Sequence, residues 1–401
     1  MRILTTLTYY TPHVSGLTVY AARVVKGLVE RGHQVTVLTS HYDRSLPYRE
    51  EIDGAQVIRP AVWLRLSKGV LMPGFFWRAA RLLHQHDLLF LHLPQFEASA
   101  VAVYARLIAR KPTVTTYQCD IELPGGLAST IFGGAISLSH HLTARCSHRI
   151  VATSDDYAEH SGFLQRYKSK LLAVYPPCPT PKAGEGEPLD LRRRYGLGDG
   201  PIVGFLGRFA EDKGVGYLID AVPEVLRSFP DARFVLAGQR EKVFGERVYE
   251  RLRPGIAALG DRLVFPGQLP SAQLAEFYSA CDVLVLPSIN STESFGMVQA
   301  EAMLCGTPVV ASDLPGVREP VRATGMGEIA APRDVAGLAA AITKVLSNRA
   351  SYVKPHEQIS QTFNATEAVD FYEDLFLSLT GQPPVRLEPA VEKVSEPKRG
   401  T

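Results

Sequence analysis

The feature that most restricts the fold of this chain is an alternation of strand and helix that runs, breaks and starts again. "RILTTL" (2–7) reads as a short buried strand; the polar turn "TYYTPHVSG" follows, then "LTVYAARVVKGLVERG", whose apolar residues recur three and four apart as on a helix. The order continues through "HQVTVLTS", "DLLFLHLP", "EASAVAVYARLIARK", "PTVTTY" and "HRIVATS". Strands separated by helices pair in one direction, so a doubly wound parallel sheet with helices on both faces is expected. The Pro- and Gly-rich "VYPPCPTPKAGEGEP" (174–188) interrupts this pattern and reads as a linker. The alternation then resumes with "PIVGFLGR", "VGYLIDAVPEVLRSFP", "ARFVLAG", "DRLVFPG", "SAQLAEFYSAC", "DVLVLPS" and "TPVVASD", followed by a helix over 334–347.

The expected organisation is α/β: a first domain over 1–178, a linker over 179–198 and a second doubly wound domain over 199–360. A helix over 361–380 is placed to pack back on the N-terminal domain, and a charged, Pro-rich tail over 381–401 is expected to be disordered. A chain of 401 residues is too long for one ordinary core, in keeping with two. Two such units facing one another leave a cleft, and open parallel sheets bind ligands beyond the carboxyl ends of their strands.

Charge narrows the partners. The formal net charge of +2 argues against nucleic acid. Residues 1–178 nevertheless hold 19 basic and 12 acidic residues, a local charge of +7 that suits an anionic surface or substrate. The five cysteines, Cys119, Cys146, Cys178, Cys281 and Cys305, are scattered and form no C-x-x-C pair, which fits a reducing compartment and offers no zinc site. The N-terminus lacks the apolar core of a signal peptide, and no stretch approaches the ~20 apolar residues that span a bilayer, so the cytoplasm is the expected address.

Three polar turns fall at the carboxyl ends of expected strands. In "YYTPHVSG", Gly16 opens a helix and permits an anion to approach backbone N–H groups. In "GFLGRFAEDKG" (204–214), Arg208 and Lys213 lie five apart in one loop, a fork and a point charge suited to phosphate oxygens. In "ESFGMVQAE" (293–301), Ser294, Phe295, Gly296 and Met297 are expected to form the first turn of a helix whose orphan N–H groups favour an anion. Glu293 and Glu301 flank that turn, and a carboxylate accepts from both hydroxyls of a vicinal diol. A solvated charged loop or an acidic helix cap uses the same residue types; agreement among three turns from two domains favours a sugar nucleotide, with phosphate held between two hydroxyl-bearing groups.

These stretches resemble the retaining glycosyltransferases of the GT-B fold, two Rossmann-like domains facing a cleft, in glycosyltransferase family four. The likeness rests on "ESFGMVQAEAMLCGTPVVASD", "GRFAEDKG" and the N-terminal unit "YYTPHVSGLTVYAARVVKGLVERGHQVTVLTS", and it covers roughly residues 1–380. It implies a nucleoside-diphosphate sugar donor, a glycan or lipid-linked acceptor in cell-surface glycan or glycolipid synthesis, and no metal or other cofactor. By matching position, Arg208 and Lys213 hold the diphosphate with N–H groups at Gly16 and 295–297. Glu301 binds ribose and Glu293 the transferred sugar, while "FPGQLP" (265–270) lies near the base. In this resemblance the acceptor hydroxyl enters on the face that the diphosphate leaves, and a phosphate oxygen takes its proton.

Several positions depart from the family pattern. Gln118 in "TTYQCD" stands where many relatives carry His, so it can orient sugar or phosphate but cannot titrate. Ser15-Gly16 replaces a Gly-Gly pair, "VLAGQRE" lacks a second glycine, and Pro315 replaces a glycine in "DLPGVRE". Tyr10, His92 and Asp120 are acceptor-side candidates; His92 and Asp120 sit at strand ends facing the cleft, and a structural histidine is the other reading of His92. The segment "RLSKGVLMPGFFWRAARLLHQH" mixes Phe75, Phe76 and Trp77 with Arg65, Lys68, Arg78 and Arg81, a composition suited to an anionic bilayer on the inner face of the plasma membrane, or to ordinary helix packing with a solvated basic edge. A sugar-nucleotide epimerase of the same fold and a non-catalytic sugar-nucleotide sensor are the alternative readings.

Overall fold

The computed structural model describes residues 1–66, 69–121, 127–182, 190–241, 243 and 246–381. Residues 382–401 of the tail expected over 381–401, residues 183–189 of the linker expected over 179–198, and Lys68 lie outside the described residues.

The first domain contains β1 (Arg2–Thr6), β2 (Gln34–Leu38), β3 (Arg49–Ile52), β4 (Ala55–Ile58), β5 (Leu64–Leu66), β6 (Gly69–Leu71), β7 (Leu88–Leu93), β8 (Thr113–Tyr117), β9 (Arg149–Ala152) and β10 (Leu171–Ala173). Eight of these form one sheet in the order β10-β9-β8-β7-β1-β2-β4-β3. All neighbours are parallel except β3, which runs antiparallel to β4, while β5 and β6 form a separate hairpin. The expected parallel sheet thus carries an antiparallel edge: β3 and β4 are four residues each and joined by a tight turn, too short to show a helix-spaced signal. Every residue of β7 and β8 is buried, as required of strands covered on both faces.

The second sheet has the order β13-β12-β11-β14-β15-β16, built from β11 (Ile202–Leu206), β12 (Arg233–Ala237), β13 (Leu263–Gly267), β14 (Val283–Leu286), β15 (Val309–Ser312) and β16 (Gly327–Ala330). Its strands are all parallel. Strand order reverses between β1 and β7 in the first sheet and between β11 and β14 in the second. At such a switch point the connections leave in opposite directions and open a crevice. The three polar turns follow β1, β11 and β14, so topology puts all of them at a crevice mouth.

The linker is shorter than 179–198. Leu191, in the short helix Leu191–Tyr195, and Leu197 are buried in the core of the second domain, because the apolar residues of this turn close the open edge beside Cys178, Phe277 and Cys281. The last helix, Ala365–Thr380, packs on the first domain against the helix Gly16–Glu30. A Cβ on Gly27 would lie 2.6 Å from Val369, so the glycine is what lets the two helices approach. Tyr372 hydrogen bonds Tyr20 and packs 5.2 Å from Phe90, while Arg31 pairs with Asp370 and Glu373.

The two domains are joined by more than the chain. Asp156 accepts two bonds from Arg318, at 2.7 and 2.9 Å, and one from the Gly316 N–H at 2.7 Å. Thr153 Oγ1 donates to the Ser294 carbonyl at 3.0 Å, and Tyr175 donates to Glu319 at 2.6 Å.

Replacing Tyr372 by Ala removes a fully buried ring that ties the last helix to the first domain. The expected loss is about 3–5 kcal/mol, read as a lower urea midpoint of the N-terminal unfolding transition at unchanged slope.

Candidate active site

The turn after β1 leads into the helix Gly16–Glu30, capped by Ser15, whose Oγ accepts from the Thr18 N–H at 3.3 Å. The space beside Gly16 is open: a Cβ there would meet nothing within 4 Å. His13 stacks on Tyr9 at 4.7 Å between ring centroids. Burial, with the Arg208 charge added, pushes its imidazolium down to about 4. The first turn and the Arg208 loop therefore lie near enough for their charges to interact. Tyr10 does not reach the cleft, contrary to the expectation of an acceptor-side residue. It is fully buried in the core of the first domain, and its hydroxyl has no partner among the described residues.

The turn after β11 closes through the short helix Glu211–Lys213 onto Gly214, which has φ of 63°. A side chain at Gly214 would stand 1.9 Å from the Pro287 carbonyl oxygen, and the Ile289 N–H donates to Asp212 O at 3.0 Å. These contacts lock the second turn to the third. They bring Lys213 onto Glu293 as an ion pair, with side chains 21% and 15% exposed. Burial works against the Lys213 ammonium, but Glu293 and Asp212 outweigh it and hold its pKa above the usual lysine range.

The third turn differs from expectation in where its helix starts. The helix runs Met297–Leu304, and Gly296 precedes it at φ of 78° as the N-cap. Ser294, Phe295 and Gly296 therefore form the approach, and Met297 begins the first turn. A Cβ on Gly296 would sit 2.3 Å from Leu286, which explains why the chain turns left-handed here before it can wind. Phe295 is buried against Tyr175 at 5.3 Å, anchoring the approach to the interdomain segment. The helix mouth thus opens next to Glu293 and Lys213, with the positive end of its dipole in the gap.

Glu301 sits deeper and is only 4% exposed. Oε1 accepts from Arg23 of the first domain at 2.5 Å, and Oε2 accepts from the Tyr278 hydroxyl at 2.6 Å. Arg23 also donates to the Pro177 carbonyl at 3.1 Å. Sequence reasoning missed both partners. The available signal for Arg23 was its spacing: three residues after Tyr20 and four before Gly27, it lies on the inner stripe of an otherwise apolar helix.

Across the gap, the chain after β8 supplies Gln118, Cys119 and Asp120. Gln118 lies beside Tyr20, and its Nε2 is buried without a hydrogen-bond partner among the described residues. The Cys119 thiol is pushed up to about 12 by burial first and then by Glu293, Asp120 and Asp212, so this strand end feels the charges of both facing turns. Asp120 accepts from Tyr117 at 2.7 Å and Ser161 at 3.1 Å. Its N–H is held by the Tyr157 hydroxyl at 2.7 Å, which itself reaches Ser291 O at 3.4 Å.

His92 requires correction as a cleft residue. It is fully buried within the first sheet, with Nδ1 at 2.8 Å from Thr116 Oγ1 and Nε2 at 3.1 Å from Thr5 Oγ1. Side chains alternate along β7, and at this register the imidazole falls on a covered face. Burial drives its pKa down to about 3. The unfolded chain therefore binds a proton near pH 6.5 that the folded chain refuses, so the His92 contribution is complete above that pH and declines as pH falls toward 3. In His92→Asn, the slope of Tm against pH between 6.5 and 4.5 is expected to be shallower than in the parent; an unchanged slope would contradict this account.

With this geometry in view, the comparisons with known proteins are specific. Residues 190–362 match the profile of glycosyl transferases group 1, and residues 15–177 that of a glycosyl transferase 4-like domain. An uncharacterized glycosyltransferase of Methanocaldococcus jannaschii is 28% identical over 87% of this chain and 90% of its own length. A phosphatidyl-myo-inositol mannosyltransferase of Mycobacterium leprae is 29% identical over 87% and 88%. Among solved structures, Anabaena HepE in complex with UDP and glucose superimposes with a TM-score of 0.74 at 24% identity, covering 94% of this chain and 100% of that one. Sucrose-phosphate synthase from Thermosynechococcus elongatus gives 0.72 at 22% identity, covering 94% and 99%. The architecture is GT-B, and the chain belongs to the group 1, family-four type of glycosyltransferases, enzymes of the hexosyltransferase class.

Proposed function

We propose that the protein transfers a hexosyl unit, mannosyl or glucosyl, from a nucleoside-diphosphate sugar to a hydroxyl of a glycan or lipid-linked acceptor, with retention at the anomeric carbon. The observation that carries this reading is the Lys213–Glu293 ion pair beside the mouth of the Met297–Leu304 helix, with Arg208 close enough to His13 of the other domain to depress its protonation. Cations and a helix dipole at one gap match the charge of a departing diphosphate. HepE was solved with UDP and glucose, and relatives named as phosphatidyl-myo-inositol mannosyltransferases support a sugar donor and a polyol acceptor.

In the proposed step, the acceptor oxygen bonds to the anomeric carbon as the bond to the diphosphate oxygen breaks, and that phosphate oxygen takes the acceptor proton. Lys213, Arg208 and the N–H groups at Gly16 and Met297 share the charge that develops. Glu293 and the unpartnered Nε2 of Gln118 hold sugar hydroxyls. Because the side chains supply the positive charge, the reaction is proposed to need no metal or other cofactor.

In this reading Glu301 binds the ribose diol in competition with Arg23, which holds Oε1 while Tyr278 holds Oε2. A binding-competent state that is only partly populated weakens apparent affinity in proportion. Arg23→Gln should therefore tighten UDP or GDP binding about three- to tenfold by calorimetry; weaker binding would mean that Arg23 itself contacts the nucleotide.

A peripheral position on the inner face of the plasma membrane, in cell-envelope glycan synthesis, is the remaining part of the reading. All the large exposed hydrophobic side chains among the described residues lie at or before Leu142, with Trp63 79%, Trp77 74% and Leu107 68% exposed. Only Trp77 of the expected aromatic trio is so exposed, because Phe75 is buried at the start of its helix. No helix among the described residues is long and apolar enough to cross a membrane. Flotation with vesicles containing anionic lipid should capture the protein, and Trp63→Ala with Trp77→Ala should abolish capture; flotation independent of anionic lipid would remove this part.

The central test is incubation with labelled GDP- and UDP-sugars and an acceptor panel, followed by the anomeric configuration of the product. Epimerised donor or binding without turnover would support the epimerase or sensor instead. Glu293→Ala and Lys213→Ala are expected to stay folded by circular dichroism and to lose about 100-fold or more in rate.

A further inference from the structure

The largest fully buried side chain among the described residues is a charged one, Arg59, just after β4. Its guanidinium joins three pieces of the first domain. Nη1 pairs with Glu50 of β3 and donates to the Pro47 carbonyl at 3.1 Å, while Nη2 donates to the Thr11 carbonyl at 2.9 Å. The Arg59 N–H donates to the Tyr48 carbonyl at 2.9 Å. The antiparallel edge thereby acquires a role, since the return of β3 along β4 is what sets Glu50 beside Arg59 as its countercharge.

Thr11 belongs to the turn after β1, ahead of His13 and Gly16. The other carbonyls of this turn are held by neutral donors close by: Thr8 O by the Ser40 N–H at 3.1 Å and Thr39 Oγ1 at 3.2 Å, Tyr9 O by Thr18 Oγ1 at 3.3 Å, and Tyr10 O by the His13 N–H at 3.1 Å. Thr11 differs. Its donor is ionised, lies 48 positions away and is itself anchored to β3. A charge-assisted hydrogen bond is roughly twice as strong as a neutral one. Beyond Thr11 the ring of His13 stacks on Tyr9 at 4.7 Å and meets Tyr42 edge-on at 5.6 Å, and Ser15 then caps the helix Gly16–Glu30.

We propose that Arg59 is the positioning residue of the first turn: acting through the Thr11 carbonyl, it holds His13 and Gly16 at the gap opposite the Arg208 loop. What this turn binds rests on the transferase reading. Its placement by Arg59 is measured without donor or turnover.

His13 is the reporter, because its ring lies within the turn and feels the Arg208 charge. The full-length parent, Arg59→Met, Arg59→Lys and Glu50→Gln are followed by NMR of the histidine Cε1–H signals from about pH 8 to about pH 5, where an ordinary histidine changes charge. The His13 signal is assigned by its loss in His13→Asn. In the parent it should stay neutral, since burial and then Arg208 push it down to about 4. In Arg59→Met the released ring should titrate nearer ~6.5. Glu50→Gln should move it less, and Arg59→Lys, whose ammonium still donates to a carbonyl, should restore part of the parent behaviour. A merely structural arginine would lower the urea midpoint and leave His13 of the folded molecules as in the parent; unchanged titration in the folded variants overturns the proposal. Should Arg59→Met fail to fold, Glu50→Gln and Arg59→Lys decide by the same signal.

Transfer kinetics and UDP and GDP calorimetry on the same proteins carry the consequence for function. A group displaced by about 1 Å costs about 100-fold in rate, the loss in kcat expected for Arg59→Met, with partial recovery in Arg59→Lys. A released His13 with nucleotide binding and kcat intact would support the placement by Arg59 and count against the donor reading of this turn. Failure of the parent to bind UDP or GDP would count against the donor reading alone.

Discussion

A lysine ammonium and a glutamate carboxylate, drawn from two different turns and largely withdrawn from water together, are the constraint on which the site depends. Each charge offsets part of the desolvation of the other. Paired, Lys213 and Glu293 leave the gap close to neutral, with Arg208, the helix mouth and His13 arranged around it. Backbone packing enforces the pairing: Gly214 presses on the Pro287 carbonyl so closely that no side chain fits, and Asp212 accepts from Ile289. The two turns are therefore one rigid body, preorganised for an anion whose charge rises during the reaction.

The first domain meets this body through carboxylates held across the seam. Asp156 is fixed by Arg318 and the Gly316 N–H, and Glu301 by Arg23. The two pairs differ in what they imply. Arg318 and Asp156 make a bidentate contact that ties the two domains together. Arg23 occupies one oxygen of the Glu301 carboxylate that the proposed donor also uses, so this contact across the seam and the proposed ligand compete for it.

Much of this site was legible in the sequence because its elements are local. A strand, a glycine turn and a helix follow one another within a dozen residues around Arg208, Lys213 and Glu293, and such order reads directly from periodicity. The candidates that missed, Tyr10 and His92, failed for one reason. Local pattern fixes where a side chain is along the chain but not whether it turns inward: His92, on β7, falls on a covered face of the sheet, and Tyr10, in the loop after β1, turns into the core. The start of the Met297–Leu304 helix slipped by three residues because a left-handed Gly296, required by Leu286, delays the first turn.

The sequence by itself determined two α/β units, their sheet directions, the three anion-favouring turns and the charged residues that those turns carry, since each depends on neighbours close in the chain. Only the tertiary structure decided that Arg23 would reach a glutamate 278 positions away and that Asp156 would reach an arginine 162 positions away. It also decided that Asp120 would lie two hydrogen bonds, through Tyr157, from the Ser291 carbonyl of the second domain. Those outcomes are set by strand order and by which helix faces bury together, and no local pattern carries information about partners brought in by the closure of a sheet.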